Sequence, residues 1–91
     1  MTGRRLVLSD GTEIENGEAG YSGGFLWLYI PGMTMMQAAT VLFNPEKTVQ
    51  ITFQYGEMED VYNGYTNCIN LNIDTDGKVS ACMTRGAENG V

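Results

Sequence analysis

Histidine is absent from this chain of 91 residues, and basic residues are scarce: five Lys and Arg stand against eleven Asp and Glu, a formal net charge of -6. The first lack removes the commonest general base and the commonest metal ligand. The second speaks against direct nucleic-acid binding, because phosphate contacts need Lys and Arg to displace counterions. Cysteine occurs only at Cys68 and Cys82, too few for a disulfide scaffold and without partners to complete a zinc site. Long apolar runs are missing too. The longest, Phe25 to Ile30, has six residues, against the roughly 20 that a membrane-spanning helix needs. Near the N-terminus, Ser9-Asp10 interrupts the apolar stretch Leu6-Val-Leu8, so no signal-peptide core forms. These lacks together predict a cytoplasmic protein, not an enzyme, with no cofactor and no membrane association.

What is present is β-patterned. Hydrophobic content of 43 % is ordinary for a folded chain, and the length predicts a single domain, 1–91, with 86–91 as a frayed tail. In Thr48-Val-Gln-Ile-Thr-Phe-Gln-Tyr55 the apolar residues fall at Val49, Ile51, Phe53 and Tyr55. Ile69, Leu71 and Ile73 repeat the rule, and Val79, Ala81 and Met83 continue it. Alternation of this kind predicts antiparallel strands with one buried face and one wet face, the inner faces free of carboxylates.

Ser9-Asp10-Gly11 and Thr75-Asp76-Gly77 share a hydroxyl–Asp–Gly pattern, which suits three-residue hairpin loops with glycine at a positive φ. Register supports that loop length. With loop 75–77, Ile73 faces Val79, Leu71 faces Ala81 and Ile69 faces Met83, keeping the apolar residues on one side. The same register pairs Leu8 with Thr12 and Leu6 with Ile14. It sets Cys68 opposite Thr84 and Cys82 opposite Asn70 on the outer face, a diagonal spacing that predicts free thiols.

One helix is expected over about 34–43. Thr34 and Gln37 form a capping-box pattern, and Asn44-Pro45 stops the helix because a residue before proline is pushed out of the α region. Only Gln37 and Thr40 are polar between Met35 and Phe43. Either the helix is sunk between sheet and loop, or a second face that includes Met36 or Phe43 meets a partner chain. Segment 16–24 carries four glycines and reads as a weak strand or an ordered loop. Phe25–Ile30, apolar on both faces, reads as a central strand with Trp27 and Tyr29 on one side. Met58–Tyr65 is a strand of open register, with Val61 and Tyr65 or Met58 and Tyr62 inward. The sum is an α+β fold: a strongly curved, mostly antiparallel sheet of five to seven short strands with one inserted helix, ending in a four-stranded meander.

Chemistry-bearing constellations are few. Asn72, Asp74 and Asp76 with Gly77 match the first half of a calcium loop, whose alternate oxygens converge on one cation. Met83 stands where the closing bidentate carboxylate belongs, and the flanks alternate as strands, so a β-turn explains the same residues. Glu13, Glu15 and Glu18, with Glu57, Glu59 and Asp60, lack the cationic support and the cleft of a carboxylate-pair hydrolase. Ser9, Ser22 and Ser80 have no histidine to activate them. The acidic residues instead read as strand edges and turns able to contact a protein.

Three stretches carry a resemblance: Leu6-Val-Leu-Ser-Asp-Gly-Thr-Glu-Ile14, Gly20-Tyr-Ser-Gly-Gly-Phe-Leu-Trp27 and Asn44-Pro-Glu-Lys-Thr48. With them the chain resembles small proteins of bacteriophages and mobile elements of gut Firmicutes. The resemblance implies a virion accessory or an inhibitor of host defence, such as an anti-CRISPR protein, and no catalytic residues. Charge then gives the leading expectation: an acidic module that binds a basic, nucleic-acid-binding partner protein through Glu13, Glu15, Glu18, Glu57, Glu59 and Asp60, with Tyr62 as an aromatic anchor. The alternative is a structural virion component that self-assembles through its apolar helix. A weak calcium-binding module is the third.

Overall fold

The alternating segments form eight strands and two short helices in a computed structural model that describes residues 3–86. In chain order they are β1 (Arg4–Val7), β2 (Glu13–Glu15), β3 (Glu18–Ser22), β4 (Phe25–Ile30), α1 (Met35–Leu42), α2 (Pro45–Thr48), β5 (Gln50–Tyr55), β6 (Met58–Asn63), β7 (Asn67–Ile73) and β8 (Val79–Thr84). The α+β class and the antiparallel pairing hold. The single curved sheet of five to seven strands does not: there are two four-stranded sheets, ordered β2-β1-β5-β6 (sheet A) and β3-β4-β8-β7 (sheet B). Nor do the last four strands run as a meander, since β5 and β6 belong to sheet A and β7 and β8 to sheet B.

The split begins at Asn16-Gly17. Asn16 takes a positive φ of 62°, its N–H donates to the Arg4 carbonyl, and the Gly17 N–H donates to the Ile14 carbonyl. A Cβ at Gly17 would stand 2.9 Å from the Leu6 side chain, so only glycine lets the backbone cross this close to the core. The glycine-rich segment 16–24 then enters sheet B as β3.

The inner faces meet in one core. Leu6, Leu8, Ile14 and Ile51 come from the sheet A side, and Leu26, Leu28, Ile30, Val79, Ala81 and Met83 from sheet B, with Ala38 and Leu42 of α1 added. Fully burying such a side chain contributes roughly 1.5–3 kcal/mol relative to leaving it in water.

Both hairpin loops form as the glycines dictate. Gly11 N–H donates to the Leu8 carbonyl and Gly77 N–H to the Asp74 carbonyl, with φ of 90° and 82° at the two glycines. Leu6 pairs with Ile14, Leu71 with Ala81 and Ile73 with Val79. Further along β7 the register shifts between Cys68 and Asn70. This bulge puts Cys68 opposite Met83 and Asn67 opposite Thr84, where the uninterrupted pattern expects Ile69 and Cys68. Ile69, expected inside, is therefore 52 % exposed. Cys82 does pair with Asn70. The two thiols are free and lie on opposite faces of sheet B.

Helix α1 is capped as its sequence requires. Thr34 Oγ1 accepts from the Gln37 N–H at 3.1 Å and Gln37 Oε1 accepts from the Thr34 N–H at 3.0 Å. Asn44 is extended, as expected before proline, but its side chain also caps α2, accepting from the Glu46 N–H at 3.0 Å. Pro45 thus ends one helix and opens another. This second helical turn delays β5 to Gln50. Thr48 is consequently buried and Val49 exposed, the reverse of the expected alternation.

On β6, Asp60 pairs with Phe53 and Tyr62 with Ile51, so Asp60 and Tyr62 point to the inner side and Val61 outward. Tyr65 is buried from the loop beyond the strand. Asp60 corrects the expectation of carboxylate-free inner faces; it is kept there by the Tyr55 hydroxyl, which donates to it at 3.0 Å. No helix among the described residues is long and apolar enough to cross a membrane. The frayed-tail expectation lies mostly outside the described residues, although Gly86 is held by its N–H donating to the Gly64 carbonyl.

Candidate functional site

The expected contact residues do not form one patch. Strand pairing places Glu15, Arg5, Gln54 and Glu59 in a row across the outer face of sheet A, with Glu13, Val7, Thr52 and Val61 in the next row. Glu13, Glu15 and Glu59 therefore share an exposed face, with Glu57 exposed in the β5–β6 turn at its end. Arg5 lies between them and donates to Glu13 at 2.9 Å. Gln54 donates to Glu59 at 3.2 Å. Glu18 belongs elsewhere: it sits on β3 in sheet B and pairs with Arg4, a bond that ties the two sheets together.

Asp60 and Tyr62 leave the contact set for a physical reason. They occupy inward register positions, Asp60 bound by Tyr55 and Tyr62 half-buried with its ring edge-on to Tyr65 at 6.3 Å. Tyr65 also meets Tyr21 of β3 at 6.0 Å, edge-on, so these rings join sheet A to sheet B. The Asp60 bond raises the Tyr55 phenol above its usual value, and burial, then the Asp60 charge, raises Tyr62. Both phenols stay protonated at neutral pH. Tyr62 is a packing residue, not an exposed anchor.

The calcium-loop match resolves into turn chemistry. Asp74 Oδ1 accepts from the N–H groups of Asp76 at 2.9 Å and Lys78 at 3.0 Å, closing the hairpin. Asn72 pairs with Ser80 in the ladder. Among the described residues no three Cys, Asp or Glu side chains gather as a metal site. Burial raises the thiols of both Cys68 and Cys82 above the ordinary cysteine value, which favours the protonated form.

Pattern reading missed a groove beside β2. It is an open groove of about 580 Å³, lined by Glu13, Ile14 and Glu15 on one side and by Met33, Gln37 and Val41, among others, on the other. Each of its walls was visible in the sequence, but their juxtaposition depends on how the β4–α1 loop returns past the sheet edge. A second feature is exposure along α1 and at its C-cap, where Met36 is 78 % and Phe43 58 % exposed. Spaced seven apart, they lie on one side of the helix, so α1 is only half sunk. A third is the outer side of β4, where Trp27 is 49 % exposed above the buried Cys82 with which it pairs.

No protein-family model, no curated protein and no solved structure matches this chain.

Proposed function

We propose that this protein is a non-enzymatic acidic binding module of a phage or mobile element, an inhibitor of the anti-CRISPR or anti-defence type that engages a basic, nucleic-acid-binding partner protein. The observation that carries this reading is the outer face of sheet A, where Glu13, Glu15 and Glu59 are exposed together and Arg5 is already engaged by Glu13. A net charge of -6 extends the same attraction beyond the contact, speeding encounter with a positive surface and disfavouring nucleic acid itself. The phage-like stretches supply the biological setting, and a host nucleic-acid-binding enzyme supplies a basic surface of the right kind. The test is capture from host lysate at low salt. A basic nucleic-acid-binding protein is expected to be retained, displaced by competing oligonucleotide, and lost from the triple variant Glu13→Lys, Glu15→Lys, Glu59→Lys. Recovery of no such protein overturns the reading.

Self-assembly in a virion is the second reading, and the exposed Met36 and Phe43 on α1 favour it.

A further inference from the structure

Strand β2 is an edge of sheet A, and its free side has a defined chemistry. Leu8 N–H donates to the Thr12 carbonyl and Asn16 N–H to the Arg4 carbonyl, with Leu6 opposite Ile14 between them. The antiparallel ladder alternates, so the N–H and C=O of Glu13 and Glu15 point away from β1, into the open side. Charged side chains on a short edge are a common guard against unwanted pairing. That role accounts for the two carboxylates but not for the apolar groove of about 580 Å³ that runs alongside, with Ile14, Met33 and Val41 in its walls.

We propose that β2 accepts an extended segment of the partner as a ninth strand, and that this segment reads basic–apolar–basic. The inference rests on the acidic-module reading above and specifies what is bound. Successive side chains of an added strand alternate between faces. One of them falls on the Ile14 side and enters the groove, where Met33 and Val41 would meet a Leu, Ile or Met. Its two neighbours fall on the outer face beside Glu13 and Glu15, which select Lys or Arg. Main-chain hydrogen bonds would supply affinity and the alternation would supply specificity, the division of labour general to strand addition. An acidic segment would meet like charge on both sides.

The probe is an end-capped octapeptide of alternating Lys and Ile, titrated into isotope-labelled protein at low ionic strength and followed by amide shifts and hydrogen exchange. The expected result is slowed exchange at the Glu13 and Glu15 amides, with shifts at Ile14, Met33 and Val41. A Val41→Glu variant should bind about tenfold more weakly, the order of effect for charging an apolar subsite. A peptide of the same sequence with N-methylated backbone amides should not bind. If the N-methylated peptide binds as well as the parent, and Glu13→Gln with Glu15→Gln still weakens both, strand addition is overturned while the acidic-module reading survives. If the peptide leaves the Glu13 and Glu15 amides unprotected although a basic protein is captured from lysate, the inference again falls alone. If neither peptide nor any basic protein binds, both fall together.

Discussion

At the scale of single residues, Thr48 is the clearest departure from pattern. It is fully buried, and its Oγ1 has no hydrogen-bond partner among the described residues. A hydroxyl stripped of water without replacement costs about 1–3 kcal/mol. Thr48→Val keeps the branched shape and removes the orphan group, so a gain of about 1 kcal/mol is expected in urea unfolding; equal or lower stability would show that the hydroxyl is satisfied by solvent. The neighbouring Val49, 50 % exposed, shows why the sequence misleads here. Period-2 apolarity from Val49 to Tyr55 is real, but it is silent about where the strand starts. Asn44-Pro45 signals a helix stop and a helix start with the same two residues. Asp60 is similarly opaque. A carboxylate reads as surface, and only the Tyr55 hydroxyl, five residues earlier along the chain, explains its inward position.

At the scale of elements, the β1–β2 loop is more than a turn. Lys47 Nζ lies 2.6 Å from Asp10, the Ser9 N–H donates to the Lys47 carbonyl, and Ser9 Oγ accepts from the Gln50 N–H at 2.7 Å. The loop is thereby fastened to α2 and the start of β5. The Lys47 hydrogen bond, aided by those with Thr12, holds the Asp10 carboxyl well below the usual carboxylate range. The folded chain thus takes up this proton less readily than the unfolded chain. The resulting stabilisation is fully present above the ordinary carboxylate value of about 4 and is lost as pH falls through the lowered folded value. Wild type should therefore melt a few degrees above Asp10→Asn at neutral pH. That gap should close progressively below about pH 4, as thermal denaturation at a series of pH values will show. A gap constant with pH would assign the loss to packing.

The two hydroxyl–Asp–Gly hairpins were legible because a loop closed by glycine at positive φ also fixes which residues face inward. The capping box of α1 was legible for an equally local reason. The bulge at Ile69 was not, since nothing in Asn67-Cys-Ile-Asn-Leu interrupts the alternation; the slip is set by how β7 must meet β8.

At the scale of the molecule, alternation could count strands but not assign them to sheets. One curved sheet and two flatter ones demand the same apolar faces, and the choice is made at Asn16-Gly17, where the crossing needs the absent Cβ. The site was legible to the same degree. Glu13, Glu15 and Glu59 were readable as surface acids, whereas their common face follows from the order β2-β1-β5-β6. Self-assembly is likewise a property of the whole particle. If α1 mediates it, sedimentation should show concentration-dependent oligomers that Met36→Glu with Phe43→Glu reduces to monomers, with little change in unfolding midpoint because both residues are exposed. A wild-type monomer at every concentration would leave the binding module without this competitor.

The sheet orders carry one more implication. Each sheet joins a hairpin from the first half of the chain, β1–β2 or β3–β4, to one from the second, β5–β6 or β7–β8. On a translating ribosome, the first half would emerge with β1 and β4 each lacking a neighbour on one side. β8 fills the open side of β4, setting Val79, Ala81 and Met83 beside Ile30, Leu28 and Leu26 in the same inner layer. Sheet B therefore cannot close until β8 has emerged, and until then the free edge of β4 leaves the nascent chain prone to aggregate.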